Sequence, residues 1–370
     1  MVQAHSAATS TARIDPDQDF LAHAEAMQFG DIHMRVNAEC QLRAIIAIHN
    51  TRLGPALGGT RCVPYSSTAA AIGDAMRLAH GMSYKAAVAD IPHGGGKAVL
   101  MRPEKITDRE AYFEAYGDFI ETLGGRFITA VDSGTTVDDM DIIARRTRHV
   151  GARSNSTGGS GDPSPSTAHG VLRGIEAAVH FRLGRDDLRD IRVNVQGVGQ
   201  VGHSLVRELR ERGANVTVCD INARNVARCV DQLGCKSVDI GAIAGQPGDV
   251  FAPCALGGVL NDDTVARLQV SIVAGAANNQ LARDDHAQRL HERDIVYAPD
   301  YVINAGGLTH VVFGETGETA ARVERIRETL QDIFERARTA QVSPLDIANR
   351  LAESKLYGDS KNSPPEEGIA

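Results

Sequence analysis

Residues 197–202 read Gly-Val-Gly-Gln-Val-Gly, placed directly after the apolar run "IRVNVQ" and before "HSLVRELRE", whose apolar residues recur at helical spacing. Few hexapeptides restrict a chain so strongly. A strand has to turn sharply at the first glycine, bring its backbone close to whatever lies over the second, and pack against the following helix at the third. What surrounds the hexapeptide repeats the same constraint. "NVTVCD", "DVFAP", "VSIVAG" and "IVYAP" read as further strands, separated by helical stretches at 223–234, from Asn261 and around 281–292. Alternating strands and helices imply right-handed crossovers and a parallel sheet covered on both faces. A last helical stretch is predicted over 317–339.

Such a loop at a helix N-terminus suits an anion of pyrophosphate type. Asp220 ends the next strand, where a carboxylate accepts hydrogen bonds from ribose hydroxyls and repels a 2′-phosphate. The pattern predicts a dinucleotide site made by Gly197, Val198, Gly199, Gln200, Val201, Gly202 and Asp220, with NAD preferred. Arg224 is the one nearby residue that favours NADP.

The chain of 370 residues is long for one core, and its first 150 residues are organised differently. Strands are predicted at 42–49 and 97–101, with a helix from Ser67. The segment 151–168, "GARSNSTGGSGDPSPSTA", is nearly free of apolar side chains and reads as a domain boundary. The expected fold class is α/β with two domains: a mixed α/β domain over 1–155, then a Rossmann-type domain with a parallel-strand core over 156–340.

A net charge of −8 and the absence of a basic cluster interleaved with aromatics argue against a nucleic-acid partner. The six cysteines show neither C-x-x-C spacing nor a histidine at metal spacing, so no structural zinc and no disulfide are expected. No apolar run reaches the length of a membrane span and the N-terminus lacks a basic start before an apolar stretch, which predicts a cytoplasmic protein without a membrane partner. The tail "YGDSKNSPPEEGIA" has the composition of a disordered segment.

Lysine use is unusual. Six lysines stand among 39 basic residues, so arginine supplies the ordinary surface charge. Two of the six, Lys85 and Lys97, fall in "GMSYKAAVADIPHGGGKAVL" (81–100), which holds one other formal charge. Unlike arginine, a lysine amine can be pushed toward neutrality and then accept a proton. The pair therefore suggests chemistry, with a surface role for both as the alternative.

These segments, taken with "LGPALGGTR" (53–61), "FITAVDSGTTVDDMD" (127–141), "SPSTAHGV" (164–171), "FAPCALGG" (251–258), "AGAANNQL" (274–281) and "YAPDYVINAGG" (297–307), resemble the amino-acid dehydrogenases of the glutamate, leucine, phenylalanine and valine group, nearest to the leucine type. The resemblance runs in order from about residue 40 to 310. It implies reversible oxidative deamination, in which an L-amino acid, NAD⁺ and water give a 2-oxo acid, ammonium and NADH. It gives Lys85 the substrate carboxylate, Lys97 the work at the amino carbon and Asp132 the shuttling of protons. It also places Asn279 at the carboxylate, the Gly58-Gly59 backbone along the substrate, Thr167 at the nicotinamide, and Ala255 and Asn278 at the cofactor. The first domain would then bind substrate and form a homo-oligomer, residues 341–370 would return to it, and a cleft would close on the substrate.

For Lys97 to deprotonate water it must be neutral at that moment, which requires a fall from about 10.4 to about 8; burial and the second ammonium, that of Lys85, are expected to supply it. The resemblance also places the side-chain pocket at Leu57, Met82, Ala130, Leu308 and Val311. Leu57 and Val311 stand where glutamate enzymes carry a lysine and a serine, so a buried γ-carboxylate would find no partner and an apolar side chain is expected. Ala130 agrees with the leucine type and Leu308 with the phenylalanine type. Together they predict a narrow pocket for Leu, Val, Ile and similar side chains. Two alternatives stay open: an aromatic dehydrogenase of phenylalanine or tryptophan type, and a non-catalytic NAD-binding homologue.

Overall fold

The structure, a computed structural model, describes residues 20–154, 160–255 and 257–358. The N-terminus, the centre of the Gly/Ser-rich boundary at 155–159 and nearly all of the tail expected to be disordered lie outside the described residues. Two compact units form. The first comprises Met1–Thr51, Pro55–Met82 and Gly95–Val150; the second comprises Arg52–Gly54, Ser83–Gly94 and Gly151–Ala370.

The first unit begins with α1 (Phe20–Ala26), β1 (Asp31–Asn37), β2 (Leu42–Asn50), β3 (Ala56–Val63) and α2 (Thr68–Val88), the last six residues of which group with the second unit. It continues with β4 (Gly94–Met101), α3 (Arg109–Glu121), β5 (Phe127–Val131) and α4 (Val137–Ile143). The sheet order is β1-β2-β4-β3-β5, antiparallel at β1/β2 and β2/β4 and parallel at β3/β5. Alternate residues of a strand face opposite sides of its sheet. Leu42, Ala44, Ile46 and Ile48 of β2 accordingly join Tyr112, Phe113, Tyr116 and Ile120 of α3. Ile45 and Ala47 join Ala71, Ala75 and Ala79, spaced four apart along α2. β4 is central and buried along its whole length, so the lysine in it cannot be a surface charge.

The second unit contains α5 (Ser164–Leu183), β6 (Arg192–Gln196), α6 (Gln200–Glu211), β7 (Asn215–Cys219), α7 (Ala223–Leu233), β8 (Lys236–Ser237), β9 (Val250–Pro253) and α8 (Asp262–Arg267). It goes on through β10 (Ile272–Val273), α9 (Asp285–Glu292), β11 (Val296–Tyr297), α10 (Asp300–Ile303), α11 (Gly306–Phe313), α12 (Gly317–Glu324), α13 (Ile326–Ala340) and α14 (Pro344–Tyr357). The order β11-β10-β9-β6-β7-β8, parallel throughout, is that of a Rossmann-type domain. Its topological switch point lies between β6 and β9, where ligands of such sheets bind. The α/β architecture expected from the alternating pattern is the one found.

Local differences have physical reasons. The helix expected after Gly202 starts at Gln200, capped by Gly199, because the glycine loop closes directly into the first turn. The single helix expected over 317–339 is two, interrupted at Arg325, with no glycine or proline to mark the break. β10 and β11 pair over only two residues each, so the apolar runs that suggested longer strands are mostly buried loop. No helix among the described residues is long and apolar enough to cross a membrane.

Candidate active site

Lys97 stands mid-strand on β4 and is 6 % exposed. Its Nζ lies 2.7 Å from Asp132 Oδ2, one residue past the end of β5. The turn that carries Asp132 is pinned: the Asp132 amide donates to Thr135 Oγ1 at 3.0 Å, and that hydroxyl donates to the Thr60 carbonyl at 3.0 Å. Asp132 is not the cap of the helix that follows. Thr136 is, in a capping box with Asp139, so the Asp132 carboxylate is not spent on the helix and meets Lys97.

Glycine makes this meeting possible. A Cβ on Gly58 would lie 1.7 Å from the Gly96 carbonyl oxygen, and one on Gly59 would lie 2.8 Å from Asp132 Cβ and 3.4 Å from Lys97 Nζ. Gly59 therefore lies against the side chains of Asp132 and Lys97, and Gly58 against the backbone of β4. Burial pushes the Lys97 ammonium below its ordinary range; Asp132 resists and the Arg61 guanidinium adds to the lowering. Burial alone would raise the Asp132 carboxyl, but Lys97 and Arg61 outweigh it and hold it below the usual carboxylate range. Asp132 is thus an anion, and Lys97 is a cation that gives up its proton more readily than a free amine.

Arg61 was not singled out in the sequence, though it ends the string "LGPALGGTR". Its Nε donates to Asp132 Oδ2 at 3.2 Å and its Nη1 to Asp74 Oδ2 at 2.8 Å. Nothing in the spacing of residues 61, 74 and 132 announces this contact, because it joins a strand, a helix and a turn.

In the second unit, Lys85 Nζ donates to Asn278 Oδ1 at 2.9 Å. The buried Asn304 donates to the same oxygen at 2.8 Å and to the Ala276 carbonyl at 3.0 Å, which fixes the amide's orientation. Asn279 adopts a left-handed φ of 51°, a conformation asparagine tolerates better than most residues. Asp300, which carried no sequence signal, supports this turn: its carboxylate accepts from the Gln280 amide at 3.1 Å and the Tyr301 amide at 2.7 Å. Burial raises the Asp300 carboxyl, with Lys85 as the opposing cation.

The hexapeptide loop leaves β6 at the switch point. Gly197 has φ +92°, donates to the Cys219 carbonyl at 2.8 Å, and could not carry a Cβ, which would lie 2.7 Å from that of Ala255. A Cβ on Gly199 would meet nothing within 4 Å, so the start of α6 is open to close approach by a ligand. Asp220 Oδ2 accepts from the Val198 amide at 2.7 Å and Oδ1 from the Asn222 amide at 2.7 Å. Asn222, not Asp220, caps α7. Val198 is buried in the core, and Gln200 is exposed with Val201 half-buried behind it. An open helix N-terminus beside an oriented carboxylate fits the diphosphate and ribose of a dinucleotide.

Thr167 sits in the first turn of α5, where its hydroxyl donates to the Pro163 carbonyl at 2.9 Å. A Cβ on Gly307 would lie 2.5 Å from that hydroxyl oxygen, so the second glycine of "NAGG" lets α11 lie against Thr167. The expected pocket walls divide between the units. Leu57, Met82 and Ala130 belong to the first, with Gly59 paired to Ala130 across β3/β5; Leu308 and Val311 belong to the second, three apart on α11 and both half-buried.

Residues 23–149 match the model of the Glu/Leu/Phe/Val dehydrogenase dimerisation domain, and residues 222–349 match that of the Glutamate/Leucine/Phenylalanine/Valine dehydrogenase domain. A leucine dehydrogenase of Bacillus subtilis is 48 % identical over 319 residues, covering 85 % of this chain and 88 % of that protein. A valine dehydrogenase of Streptomyces coelicolor is 46 % identical over 324 residues, covering 85 % and 88 %. The crystal structure of an L-tryptophan dehydrogenase from Nostoc punctiforme superimposes with a TM-score of 0.80 at 41 % identity, covering 93 % of this chain and all of that one.

Proposed function

The chain belongs to the glutamate/leucine/phenylalanine/valine dehydrogenase family, and from that premise we propose that it catalyses NAD-dependent, reversible oxidative deamination of an aliphatic L-amino acid of the leucine type. Products in the oxidative direction are the 2-oxo acid, ammonium and NADH. The observation that carries the reading is the pair of buried Lys97 and half-buried Asp132 at 2.7 Å, with the amine held below its ordinary range.

A nicotinamide dinucleotide bound at the glycine loop would supply the hydride acceptor for the α-carbon. The protein's groups do the rest. Neutral Lys97 takes a proton from the water that adds to the oxidised carbon, and Asp132, sharing a hydrogen bond with it, passes protons to the departing ammonia. Lys85 and Asn279 hold the substrate carboxylate as a cation and a polar side chain. Thr167, Ala255 and Asn278 would contact the cofactor, Gly197 to Gly202 would receive its diphosphate, and Asp220 would take the ribose hydroxyls, which favours NAD over NADP. The expected division of the chain into 1–155 and 156–340, and assembly of copies through the first domain, belong to the same proposal; the dimerisation-domain match over 23–149 supports the assembly.

Leu57 and Val311 present no group to pair a γ-carboxylate, which supports an apolar substrate. A second reading, an aromatic substrate, is favoured by Leu308 and by the tryptophan dehydrogenase neighbour. One assay separates them: NADH oxidation with excess ammonium and 4-methyl-2-oxopentanoate, phenylpyruvate, indolepyruvate or 2-oxoglutarate. Fastest turnover is expected with 4-methyl-2-oxopentanoate. Preference for an aromatic oxo acid would transfer the proposal to the second reading, and no oxidation with any of them would end both.

A further inference from the structure

Asp132 Oδ2 serves two cations. Lys97 Nζ lies 2.7 Å from it and Arg61 Nε donates to the same atom at 3.2 Å. Arg61 is itself held in place. Its Nη1 donates to Asp74 Oδ2 at 2.8 Å; that oxygen also accepts from the Tyr65 hydroxyl at 2.6 Å, and Asp74 Oδ1 accepts from Arg77 at 2.6 Å. Every member of this chain of contacts lies in the first unit. The charged and titratable groups around the pair are thus Arg61 on β3, Tyr65 just after it, Asp74 and Arg77 on α2, Lys97 on β4 and Asp132 after β5.

We propose that Arg61 is a positioning residue for the Lys97–Asp132 pair, clamped between Asp132 and Asp74 so that it fixes the carboxylate and prevents it from holding the Lys97 proton alone. This rests on the role given to Lys97 above. A planar guanidinium can point Nε at one carboxylate and Nη1 at another in a fixed fork, which a lysine amine cannot do. An oxygen that already accepts from a guanidinium binds an ammonium less strongly, and the guanidinium charge repels the ammonium directly. Both effects ease loss of the Lys97 proton. Asp74 acts the other way on Lys97, but it is the smallest of the influences there, and its oxygens are shared by Arg61, Arg77 and Tyr65. The lowering at Lys97, to which Arg61 contributes and which Asp132 opposes, has the sign this arrangement requires.

The test uses Arg61→Gln and Arg61→Lys in the full chain, with two readouts. The first is the pH profile of deamination, with kcat and KM separated. The second needs no turnover: competitive acetylation with acetic anhydride across pH, read by peptide mass spectrometry, gives the apparent pKa of Lys97. Arg61→Gln is expected to raise that value, and the rising limb of the profile, by about one unit. It should lower kcat near pH 8 while leaving KM for NAD⁺ unchanged. Arg61→Lys keeps the charge and loses the fork, so the limb should lie between the two and kcat should still fall. Folded variants whose Lys97 value and pH limb match the parent would overturn the proposal; if Arg61→Gln does not fold, Arg61→Lys decides. A parent chain that turns over no oxo acid would overturn the deaminating reading, and the acetylation values would still decide the role of Arg61.

Discussion

The Tyr84 hydroxyl donates to Glu353 Oε1 at 3.0 Å, joining residues 269 apart in sequence within the second unit. Burial raises the Tyr84 phenol far above its ordinary value, so it stays a donor at any working pH. Lys355 adds bonds from the same helix to the Ala87 carbonyl at 3.1 Å and Asp90 Oδ1 at 2.6 Å. α14 therefore grips the short segment that carries Lys85. Tyr84→Phe is expected to cost about 1 kcal/mol of stability, the ordinary worth of one such hydrogen bond, in urea unfolding. It should raise KM for the amino acid several-fold and leave NADH affinity unchanged, since only the Lys85 segment loosens. An unchanged KM would separate α14 from the site.

The role proposed for Lys97 predicts a pH dependence. If its neutral form is the base, as proposed, the deamination rate should rise with pH as the proton is lost, with a midpoint below that of a free lysine amine. Lys97→Ala should reduce turnover by about 10² to 10⁴, the usual contribution of a general base. Lys97→Arg should be as inactive, because a guanidinium keeps its proton. NADH binding, followed by its fluorescence, should survive both changes. Full activity in Lys97→Ala would remove the residue from the mechanism.

What the sequence discloses and what it hides follow from the range of the interactions. The loop 197–202, its strand and its helix are neighbours in the chain, so their geometry is legible as a local pattern. Lys97 and Lys85 could be found because lysine is scarce. Arg61, Asp74, Asp300 and Asn304 are common residue types whose roles appear only when distant strands and helices meet, and arginine in this chain is too frequent to attract notice. The break at Arg325 was hidden for a different reason: its dihedrals remain helical, φ −64° and ψ −14°, so no turn-forming residue was needed.

Two glycines should respond oppositely to alanine. At Gly58 the new methyl would lie 1.7 Å from a backbone oxygen on β4, and neither strand can yield without breaking the sheet. Gly58→Ala is expected to lose at least the 1 to 3 kcal/mol typical of an overpacked core, and to express poorly. Gly81, inside α2, has nothing within 4 Å of such a methyl. Gly81→Ala should gain about 0.5 to 1 kcal/mol by removing backbone freedom from the unfolded chain. Calorimetric melting of both variants checks the pair; similar midpoints would contradict the close approach of β3 to β4.

His49 and His80 predict an acid limit. Their rings meet edge to face with centroids 4.8 Å apart. Burial lowers His49 to about 4, partly offset by its bond to the Met27 carbonyl, and burial lowers His80 to about 3, with His49 adding to the effect. A histidine depressed in the folded state opposes folding as it becomes charged. Stability is therefore intact above the unfolded value of about 6.5 and declines as pH falls from there toward 4. His80→Gln, which cannot charge, should flatten the fall in urea midpoint between pH 6.5 and 4. A slope equal to that of the parent would show that other groups set the acid limit.

Substrate preference can be tested from either unit. Ala130 is 8 % exposed on β5 beside Gly59, and Leu308 is half-buried on α11. If both line the side-chain pocket, removing methyl groups should enlarge it. One methylene in such a pocket is worth about 1 to 3 kcal/mol, so Ala130→Gly and Leu308→Val should each raise kcat/KM for phenylpyruvate relative to 4-methyl-2-oxopentanoate by about tenfold or more. A ratio that moves only for Leu308→Val would leave Ala130 in the core of the first unit and assign the pocket to α11, while a ratio unmoved in both would place the walls elsewhere.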